Sequence, residues 1–545
     1  MKKIIEHSPL LAALIIMDLV LVVLLILSWS KTQGVLTYIL DDPYIHMAIA
    51  KNFALHGVWG VSPFEFASAS SSLLWTLLIA GVNFVFGVDG LTPFRLNIIA
   101  ASMLLVLIFY ILKKHVVNKL YQLIVMLTVV FAAPLPSLIF CGQEHILHAL
   151  LSVAIMYLTA KLLVSDDAFE QLLYGAKSKR RYEIWLLILA PLLTMTRYEG
   201  LFLVFVICVM FLFRKRFGFS VLLGGLALLP LVVFGLISVS KGWYFLPNSV
   251  LIKGSLPDLT SLNGLVLFLV RDIKNLFDVS ALLILVIASI GLMIWHYQKD
   301  KKFWTESNIL IALFLVTAWF HLQFADIGLF FRYEAYLVAM GIFAVAIAAV
   351  KIDSIWIKVK SLSDTAPGLI ALAVIAIIIF YPLYLRGAYS SYFVPRSSAN
   401  IYNQQYQVGR FLKRYYDSQP VVVNDIGAAS FLGDIKTIDI WGLANMDAAQ
   451  AIRSKQYTSE FIDVLAKLEK AQIAVVYDDI GRAYGMGGIP DNWHKVGWWT
   501  IPENKVCFNE TVSFYAIDPA HADTLRQRLR WYAGELPAGV IWGVE

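Results

Sequence analysis

Residues 9–29 read PLLAALIIMDLVLVVLLILSW and form the first long apolar run of the chain, shortly after Lys2 and Lys3. A helix of about 20 apolar residues is long enough to cross the hydrocarbon core of a bilayer. Because no small-residue cleavage site follows the run, the sequence predicts an uncleaved membrane helix rather than a signal peptide.

Similar apolar runs recur over the first 386 residues. They lie at 72–88, 94–112, 120–140, 143–164, 183–198, 200–213, 219–239, 279–296, 307–325, 332–350 and 368–386. Hydrophobic residues make up 59% of the 545 residues and charged residues 15%, against about 25% charged residues in an average soluble domain. This composition excludes a soluble multidomain enzyme, a disordered scaffold and a coiled coil, and it predicts a polytopic α-helical membrane protein.

The charges and the cysteines exclude two further classes of protein. The net charge is only +6, and no basic run resembles a nucleic-acid-binding surface, so no nucleic-acid partner is expected. Cys141, Cys208 and Cys507 are far apart and form no CxxC pair. The sequence therefore suggests neither a disulfide framework nor a zinc site.

Residues 387–545 contain no further apolar run and are interpreted as an external α/β domain. Predicted strands at 420–424, 436–441 and 472–477 alternate with helical stretches at 445–453 and 458–470, which is typical of a small α/β layer. Residues 387–420 are predicted to be a linker followed by an amphipathic helix.

Lysine and arginine residues in short loops predict the orientation, because such loops stay in the cytoplasm. The basic loops are Lys2-Lys3, Lys113–Lys119, Lys177–Arg181, Arg214–Arg216, Lys299–Lys302 and Lys351–Lys360. All of them lie inside only if 72–88 does not cross the membrane. The prediction is then eleven membrane helices in residues 1–386, the N-terminus inside and residues 387–545 outside. The 72–88 run becomes a re-entrant or surface helix of the first external loop, residues 30–93.

This orientation places a set of polar residues from six segments at the external ends of the helices. They are Asp41, Asp42, His46, Glu65, Glu144, His145, Arg197, Glu199, Asn248, Lys253, Asp326, Arg332 and Tyr333. Ionisable groups at membrane depth are costly and normally pair or line a cavity. Since so many acids and bases gather on one side, we expect a functional site at the external membrane surface.

The first external loop begins with Asp41-Asp42-Pro43. Pro43 suits the first position of a helix and Asp42 its N-cap, which places Asp41 outside the helix. Two adjacent carboxylates at a helix start can have tuned pKa values, so one of them can act as a general base. His46 follows one turn after Asp42 and can form a hydrogen bond to it; a histidine satisfied within an interface is the structural alternative.

The motifs of this loop and of three later segments resemble a known family. The loop has a DDxY start at Asp41, a Ser-rich stretch at 68–72 and a Leu-Trp pair at the start of an apolar helix. Later stretches are Cys141-Gly142-Gln143-Glu144, Thr196-Arg197-Tyr198-Glu199-Gly200, Leu246-Pro247-Asn248-Ser249 with Lys253, Asn424–Gly427 and Ile438–Leu443. In order and sidedness they resemble GT-C glycosyltransferases, especially the bacterial polyprenyl-phosphate-dependent arabinofuranosyltransferase group. Cys141 and Tyr198 depart from the usual Ser and Pro of these motifs.

The resemblance implies a GT-C fold and an inverting glycosyltransferase of the bacterial inner membrane. Such an enzyme would move arabinofuranose, or a related pentose or hexose, from a polyprenyl-phosphate donor. The acceptor would be a hydroxyl group of a cell-envelope glycan, a lipid-linked glycan or a protein on the outer side of the membrane. The external domain would handle or dock this acceptor, and Trp493, Trp498, Trp499 and the Gly485–Gly488 segment could contact a glycan or the membrane surface.

The chemistry of such a transfer assigns roles to the outward-facing residues. Asp41 is the first candidate for the base, and Asp42 is the alternative base or an acceptor-orienting partner. Arg332, Lys253 and Arg197, in that order, are candidates to stabilise the departing phosphate. Glu144, Glu199, His46, Asn248, Tyr333 and His145 are candidates to bind sugar or acceptor. No cofactor is firmly predicted, but Asp41, Asp42 and Glu144 could hold a divalent metal ion.

Several alternatives remain open from the sequence. Arg197 and Glu199 could form a local ion pair at the tip of a hairpin, Lys253 could be a snorkelling interfacial lysine, and Glu144 could simply pair with His145 or Arg197. The chain could also be a transporter or flippase of a lipid-linked glycan, although transporters place their charges near the bilayer midplane. A second possibility is a non-catalytic assembly or sensor protein, although such a protein would not need the paired Asp41-Asp42. A third possibility is an oligosaccharide ligase or polymerase that uses a diphosphate-linked donor.

Overall fold

The computed structural model describes residues 7–164, 168–253, 261–350, 365–479 and 488–545. Helices dominate up to residue 416, and a six-stranded sheet follows. The predicted basic loops Lys2-Lys3 and Lys351–Lys360, and most of the Gly485–Gly488 segment, lie outside the described residues.

The membrane part contains helices at all the predicted apolar runs. They are α1 Ser8–Trp29, α2 Asp42–His56, α3 Leu73–Phe86, α4 Thr92–His115, α5 Lys119–Ala132, α6 Leu135–Cys141, α7 His145–Val164, α8 Ala168–Thr196, α9 Gly200–Phe213, α10 Phe217–Ser240, α11 Asn248–Lys253, α12 Leu262–Asp278, α13 Ser280–Asp300, α14 Glu306–Phe324, α15 Ala335–Val350 and α16 Ala366–Ile401. Within the described residues, eight helices are long and apolar enough to cross a membrane, and α3, α9 and α15 are shorter apolar helices.

The surface of the bundle is that of a protein solvated by lipid. On α1, Leu10, Ala13 and Met17 are buried in the core, while Leu11 and Ile15 on the other face are exposed. Exposed apolar side chains also cover much of α10, α13 and the first half of α16. The bundle therefore has apolar residues both inside and outside, which confirms the predicted polytopic membrane fold.

Two local predictions in the membrane part are corrected. The basic stretch 177–181, predicted as a loop, lies within α8, because lysine and arginine are good helix formers. Helix α2 begins at Asp42, so the N-cap position belongs to Asp41 rather than Asp42, and Asp41 makes no side-chain capping bond to its own helix.

Helix α3 occupies the apolar run at 72–88, for which a surface or re-entrant position stays a prediction. Its 14 residues span about 21 Å, less than the roughly 30 Å core of a bilayer. It starts at Ser72, whose hydroxyl accepts a hydrogen bond from the backbone N–H of Trp75 at 3.3 Å. Helix α3 packs against α2, so both helices of the first loop form one unit on the bundle.

Helix α16 crosses the predicted domain boundary at residue 386 without a break. It continues through a π-helical turn, Tyr402–Tyr406, into α17, Gln407–Tyr416, so the segment predicted as a linker is helical. The reason is tight packing on α5: Arg386 donates Nε–H to the carbonyl of Ala132 at 2.9 Å. A Cβ atom at Gly387 would lie 2.6 Å from the carbonyl oxygen of Phe131, so only glycine fits this contact.

The sheet domain, residues 407–545, is a mixed sheet covered by short helices. The strands are β1 Pro420–Val423, β2 Lys436–Asp439, β3 Ile473–Val476, β4 His494–Thr500, β5 Thr511–Ala516 and β6 Ile541–Val544, and the helices are α18 Gly427–Gly433, α19 Met446–Arg453, α20 Ser459–Leu468 and α21 Ala522–Tyr532. The strand order is β2-β1-β3-β5-β4-β6. Strands β2, β1 and β3 are parallel, and the remaining pairs are antiparallel. The first three strands were predicted, and β4, β5 and β6 were not.

Two of the three tryptophans that the sequence suggested for glycan or membrane contact, Trp493 and Trp499, are core residues of the sheet domain. Trp499 is 1% exposed and packs against Phe411, Phe514 and Tyr532. Trp493 is buried and donates its indole N–H to Asp463 at 2.9 Å. The prediction that these two residues contact a glycan or the membrane surface is therefore wrong, because both rings are used to build the domain.

Candidate active site

The centre of the candidate site is an ion pair between the first loop and the segment before α15. Arg332 donates from Nη2 to Asp42 Oδ2 and to the hydroxyl of Tyr333, both at 2.7 Å, and from Nη1 to Gln143 Oε1. Arg332 is 2% exposed. A guanidinium with this many partners in a buried position is fixed in place, so the Asp42–Arg332 pair is a rigid feature of the fold.

Arg332 follows an unusual backbone segment, Gly328–Phe331, which we call the left-handed turn. Gly328, Leu329, Phe330 and Phe331 have φ values of 88°, 45°, 63° and 59°. Side-chain-bearing residues lose about 1–2 kcal/mol each in this conformation. The turn persists only because surrounding contacts stabilise it, and such strain is typical of functional sites.

Gln143 reaches Arg332 because of the glycine before it. Gly142 ends α6 with φ of 67°, and a Cβ atom there would lie 2.5 Å from the ring of Tyr38. The indole N–H of Trp75 donates to the carbonyl of Gly142 at 3.2 Å. These contacts fix the start of α7, where Gln143 faces Arg332 and Glu144 faces Arg197.

Two cavities meet at the Asp42–Arg332 pair, and Asp42, Arg332 and Tyr333 line both. The first, which we call the bundle cavity, has a volume of about 310 Å³ and is also lined by Leu201, Phe202, Val250 and Phe324 of the membrane bundle. The second, the interface cavity, has a volume of about 420 Å³ and lies between the bundle and the sheet domain. It is lined further by Asp41, Asp425, Trp441, Leu443 and Phe508.

Arg197 is held by two carboxylates. Its Nη1 donates to Glu144 at 2.7 Å and its Nη2 to Glu199 at 2.5 Å. His46 lies 3.8 Å from the second oxygen of Glu144 and contacts the hydroxyl groups of Ser70 and Thr76, each at 3.1 Å. The predicted ion pair at the hairpin tip is therefore present, and one arginine charge faces two carboxylate charges.

Asp41 attaches the first loop to the sheet domain. Its two oxygens accept the backbone N–H groups of Gly427 and Ala428, at 2.7 and 2.8 Å, at the start of α18. At the other end of α18, Lys51 donates to the carbonyl of Phe431 at 2.6 Å and pairs with Asp434. An acid at the N-terminus and a base at the C-terminus complement the dipole of α18. Asp41, directly before α2, and Lys51, in the second half of α2, thus hold α18 at its two ends.

Asp425 comes close to Asp41 from the sheet domain. Its carboxylate accepts hydrogen bonds from Gln405 at 2.9 Å and from the hydroxyl of Tyr477. Burial and the neighbouring Asp425 carboxyl raise the pKa of Asp41 to about 8, and burial likewise raises the pKa of Asp425. Near neutral pH, Asp41 therefore tends to hold its proton, which weakens its candidacy as the base.

The predicted tail motif Ile438–Leu443 shapes the far wall of the interface cavity. Asp439 accepts the backbone N–H groups of Trp441 at 2.7 Å and Ala444 at 2.6 Å. This turn brings Trp441 and Leu443 to the cavity, where Trp441 packs against Phe508 with ring centroids 5.3 Å apart. Both tail motifs of the resemblance therefore line the same cavity as Asp41 and Asp42.

Three other predicted site residues, Asn248, His145 and Lys253, lie in different parts of the site region. Asn248 is fully buried and bridges Ser68 of the first loop and Gly442 of the sheet domain. His145 is buried with its ring 5.8 Å from that of Tyr333. Lys253 is the last residue of α11, whose Ser249 and Val250 line the bundle cavity, but its side chain is outside the described part of the protein.

A metal site is not preformed where the sequence suggested one. In the part of the chain that the structure describes, no group of three or more His, Cys, Asp and Glu side chains is placed to hold a metal ion. Asp42 and Glu144 instead face Arg332 and Arg197. Asp41, Asp42 and Glu144 are therefore not brought together as a ligand set.

Sequence reasoning missed Gln143, Asp425 and Glu334 as residues of the site region. Gln143 occupies the variable position of the Cys141–Glu144 motif, and Asp425 lies within a recognised motif as a residue at a strand end. Glu334 directly follows Arg332-Tyr333, and that position was the one signal that could have marked it.

Comparison with known proteins identifies the fold. A family model described as a domain of unknown function (DUF8728) matches residues 399–515, less than half of the chain. No curated protein matches the sequence significantly. The archaeal oligosaccharyltransferase AglB from Archaeoglobus fulgidus, in complex with an inhibitory peptide and a dolichol-phosphate, is similar at a TM-score of 0.54 and 14% identity, over 98% of this chain and 75% of that chain. ArnT from Cupriavidus metallidurans bound to undecaprenyl phosphate is similar at a TM-score of 0.54 and 11% identity, over 93% and 98%.

The chain has the GT-C fold. The predicted fold class is thereby confirmed: a multi-pass helical bundle followed by a small α/β domain. The arabinofuranosyltransferase group is not among these similar structures, so membership of that group within the GT-C fold stays a prediction.

Gly427 offers a direct test of the contact between the first loop and the sheet domain. A Cβ atom at this position would lie 2.2 Å from the carbonyl oxygen of Asp41. We expect Gly427→Ala to lower the apparent Tm of the purified protein by roughly 5 °C, because overpacking of this kind costs about 1–3 kcal/mol. The matched control is Gly534→Ala, which meets no atom within 4 Å. Equal Tm values for the two variants would show that α18 does not depend on Asp41.

Proposed function

We propose that this protein is a GT-C glycosyltransferase that moves a sugar from a polyprenyl-phosphate donor to a hydroxyl group of an acceptor. One observation carries the proposal. A cavity within the membrane bundle and a cavity between the bundle and the sheet domain meet at a single carboxylate–guanidinium pair, Asp42–Arg332. A transferase needs separate places for donor and acceptor and a shared place for the reacting atoms.

The bundle cavity is the proposed donor site. Its apolar wall of Leu201, Phe202 and Phe324 suits a polyprenyl chain, and its polar end holds Arg332 for the phosphate. The Nε–H of Arg332 is buried without a hydrogen-bond partner among the described residues, so one donor of this guanidinium is unused. The similar structures of AglB and ArnT are named as complexes with dolichol-phosphate and undecaprenyl phosphate.

Asp42 is the proposed general base, rather than the first sequence candidate, Asp41. Asp42 lines both cavities, whereas Asp41 lines only the interface cavity and has both oxygens engaged by α18. The acceptor O–H gives its proton to Asp42 as the oxygen attacks the anomeric carbon. The bond between that carbon and the phosphate oxygen breaks, and Arg332 stabilises the departing lipid phosphate. A single displacement of this kind inverts the anomeric configuration.

The interface cavity is the proposed acceptor site. It presents the carboxyl groups of Asp41, Asp42 and Asp425 and one guanidinium, that of Arg332, which is already paired. We infer that the acceptor is a neutral or cationic sugar, or another hydroxyl compound without its own phosphate or carboxylate, because carboxyl groups in either protonation state form hydrogen bonds with hydroxyl groups and the guanidinium at this cavity is already paired with Asp42. Trp441 and Phe508 supply an aromatic wall for such a ring.

The charges favour a monophosphate donor. Arg197, the second arginine at the bundle cavity, is neutralised by Glu144 and Glu199. Lys253 at the end of α11 is the proposed additional cation for the donor phosphate.

The basic clusters near Lys113 and Arg214 lie at the helix ends opposite the site. The positive-inside rule therefore favours an active site on the outer face of a bacterial inner membrane.

The proposal is tested with purified protein and a panel of synthetic polyprenyl-phosphate pentoses and hexoses, polyprenyl-phosphate arabinofuranose included. We expect mass spectrometry to detect consumption of one of these donors and release of polyprenyl phosphate. Consumption of diphosphate-linked donors alone would indicate an oligosaccharide ligase. Movement of intact donor across liposome membranes without any consumption would indicate a transporter and contradict the proposal.

A further inference from the structure

The left-handed turn Gly328–Phe331 directly precedes Arg332 and therefore sets the position of its backbone. It connects Ala325 at the end of α14 with Glu334 at the start of α15, so Arg332 is carried on a short segment between two helices. The guanidinium end of Arg332 is held by Gln143 and Asp42. The backbone end of Arg332 depends on the turn, so the residues that contact the turn also position Arg332.

Glu334 is the residue that closes the turn. Its Oε2 accepts the backbone N–H of Gly328 at 3.0 Å, and its Oε1 accepts Nη1–H of Arg386 at 3.1 Å. The Glu334 side chain is fully buried. A buried carboxylate is tolerated only when it is paired and its oxygens are used, and here both oxygens are used for the turn and its support.

Arg386 supports the turn from α16. Besides Glu334, it donates Nε–H to the carbonyl of Ala132 at the end of α5, at 2.9 Å. Its guanidinium also lies 4.3 Å from the ring centroid of Phe331, the last residue of the turn. Arg386 therefore joins α5, α16, the turn and Glu334 at a single point.

We propose that Glu334, together with Arg386, is a positioning residue that holds the left-handed turn and thereby places the Arg332 guanidinium where the two cavities meet. The inference rests on the proposed function, because it assigns Glu334 an effect on transfer through Arg332. Neither residue touches a cavity, so their effect on the reaction is indirect.

The test is a double-mutant cycle on donor consumption by the purified full-length protein. We expect Glu334→Gln to lower kcat roughly 100-fold with the donor KM changed by less than about threefold, since a small displacement of a charge-stabilising group has this effect. We also expect Glu334→Gln to have little further effect in a protein that already carries Arg332→Gln, because the two residues act through one group. Multiplicative losses in the double variant would overturn the proposal.

A matched control separates positioning from general destabilisation. Glu306 forms a comparable ion pair with Lys161 at 2.9 Å, at the opposite end of α14. We expect Glu306→Gln to change kcat by less than about threefold, because Glu306 is distant from Arg332 and acts independently of it. If Glu306→Gln lowers kcat as much as Glu334→Gln does, the effect is structural and the proposal fails.

A second variant covers the case in which Glu334→Gln does not fold. Gly328→Ala changes the turn alone: a Cβ atom there meets nothing within 4 Å, but the φ of 88° disfavours alanine. It should reproduce the loss in kcat and the absence of a further loss with Arg332→Gln. Wild-type kinetics in Gly328→Ala would overturn the proposal. If the wild-type protein consumes no donor at all, the proposed function itself is wrong, which is a distinguishable result.

Discussion

Replacement of Asp42 by asparagine is expected to lower kcat for sugar transfer by roughly 1000-fold, which lies within the range of losses for a general base. The amide cannot take the proton of the acceptor hydroxyl, and it no longer neutralises Arg332. Donor binding should persist, because the apolar wall of the bundle cavity is unchanged. The measurement is initial-rate kinetics on the donor identified by mass spectrometry.

The comparison with Asp41→Asn decides between the two adjacent carboxylates. Asp41 holds the start of α18 through two backbone N–H groups. Asp41→Asn should therefore loosen the sheet domain and raise the acceptor KM, with a smaller loss in kcat. The neutral control is Asp89→Asn, an exposed residue of the same loop paired with Arg95. If Asp41→Asn shows the larger loss in kcat, Asp41 is the base, as the sequence first predicted.

Arg332→Gln is the second substitution with a large expected effect. We expect it to lower kcat by roughly 100- to 1000-fold, since removal of one group that stabilises developing charge has this effect. Arg332→Lys should recover only part of the rate, because an ammonium group cannot bind Asp42, Gln143 and a phosphate with the geometry of a guanidinium.

The control for Arg332 is Arg95→Gln, which removes an exposed arginine in the first turn of α4. Surface ion pairs contribute little, so its kinetics should match those of the wild type. Arg332→Gln with unchanged kcat would mean that Lys253 or Arg197 carries the phosphate instead. That outcome would also remove the basis for the role of Glu334.

Hydropathy predicted the positions of the membrane helices because each apolar run coincides with helix, although the 120–140 run is divided between α5 and α6. It could not predict that α16 passes residue 386, since Arg386 and Gly387 look polar and helix-breaking until they pack on α5. The sequence also failed to predict strands β4 to β6, because their local patterns are weak. The alternation in β4 is disturbed by a register shift between Lys495 and Gly497, and β6 has only four residues.

The candidate site was predicted in part from charge at helix ends. Asp42, Arg332 and Tyr333 line both cavities, as expected of residues that gather on one side. The sequence offered Arg197 only as one of two alternative partners for Glu144, because 53 residues separate the two and no local pattern selects between them. It could not single out Glu334 either, because the need for that residue arises from the backbone conformation of the turn.

The helical segment from Ala366 to Tyr416 is continuous over 51 residues, which corresponds to about 75 Å at 1.5 Å per residue. Pro382, Pro395 and the π-helical turn interrupt its regular hydrogen bonding, but this segment contains no loop between its membrane part and the sheet domain. On the proposed function, the acceptor site beside Asp42 is therefore coupled directly to the position of a membrane helix. A bilayer thickness that tilts this helix would shift the sheet domain relative to Asp42, so we expect the acceptor KM to depend on lipid composition.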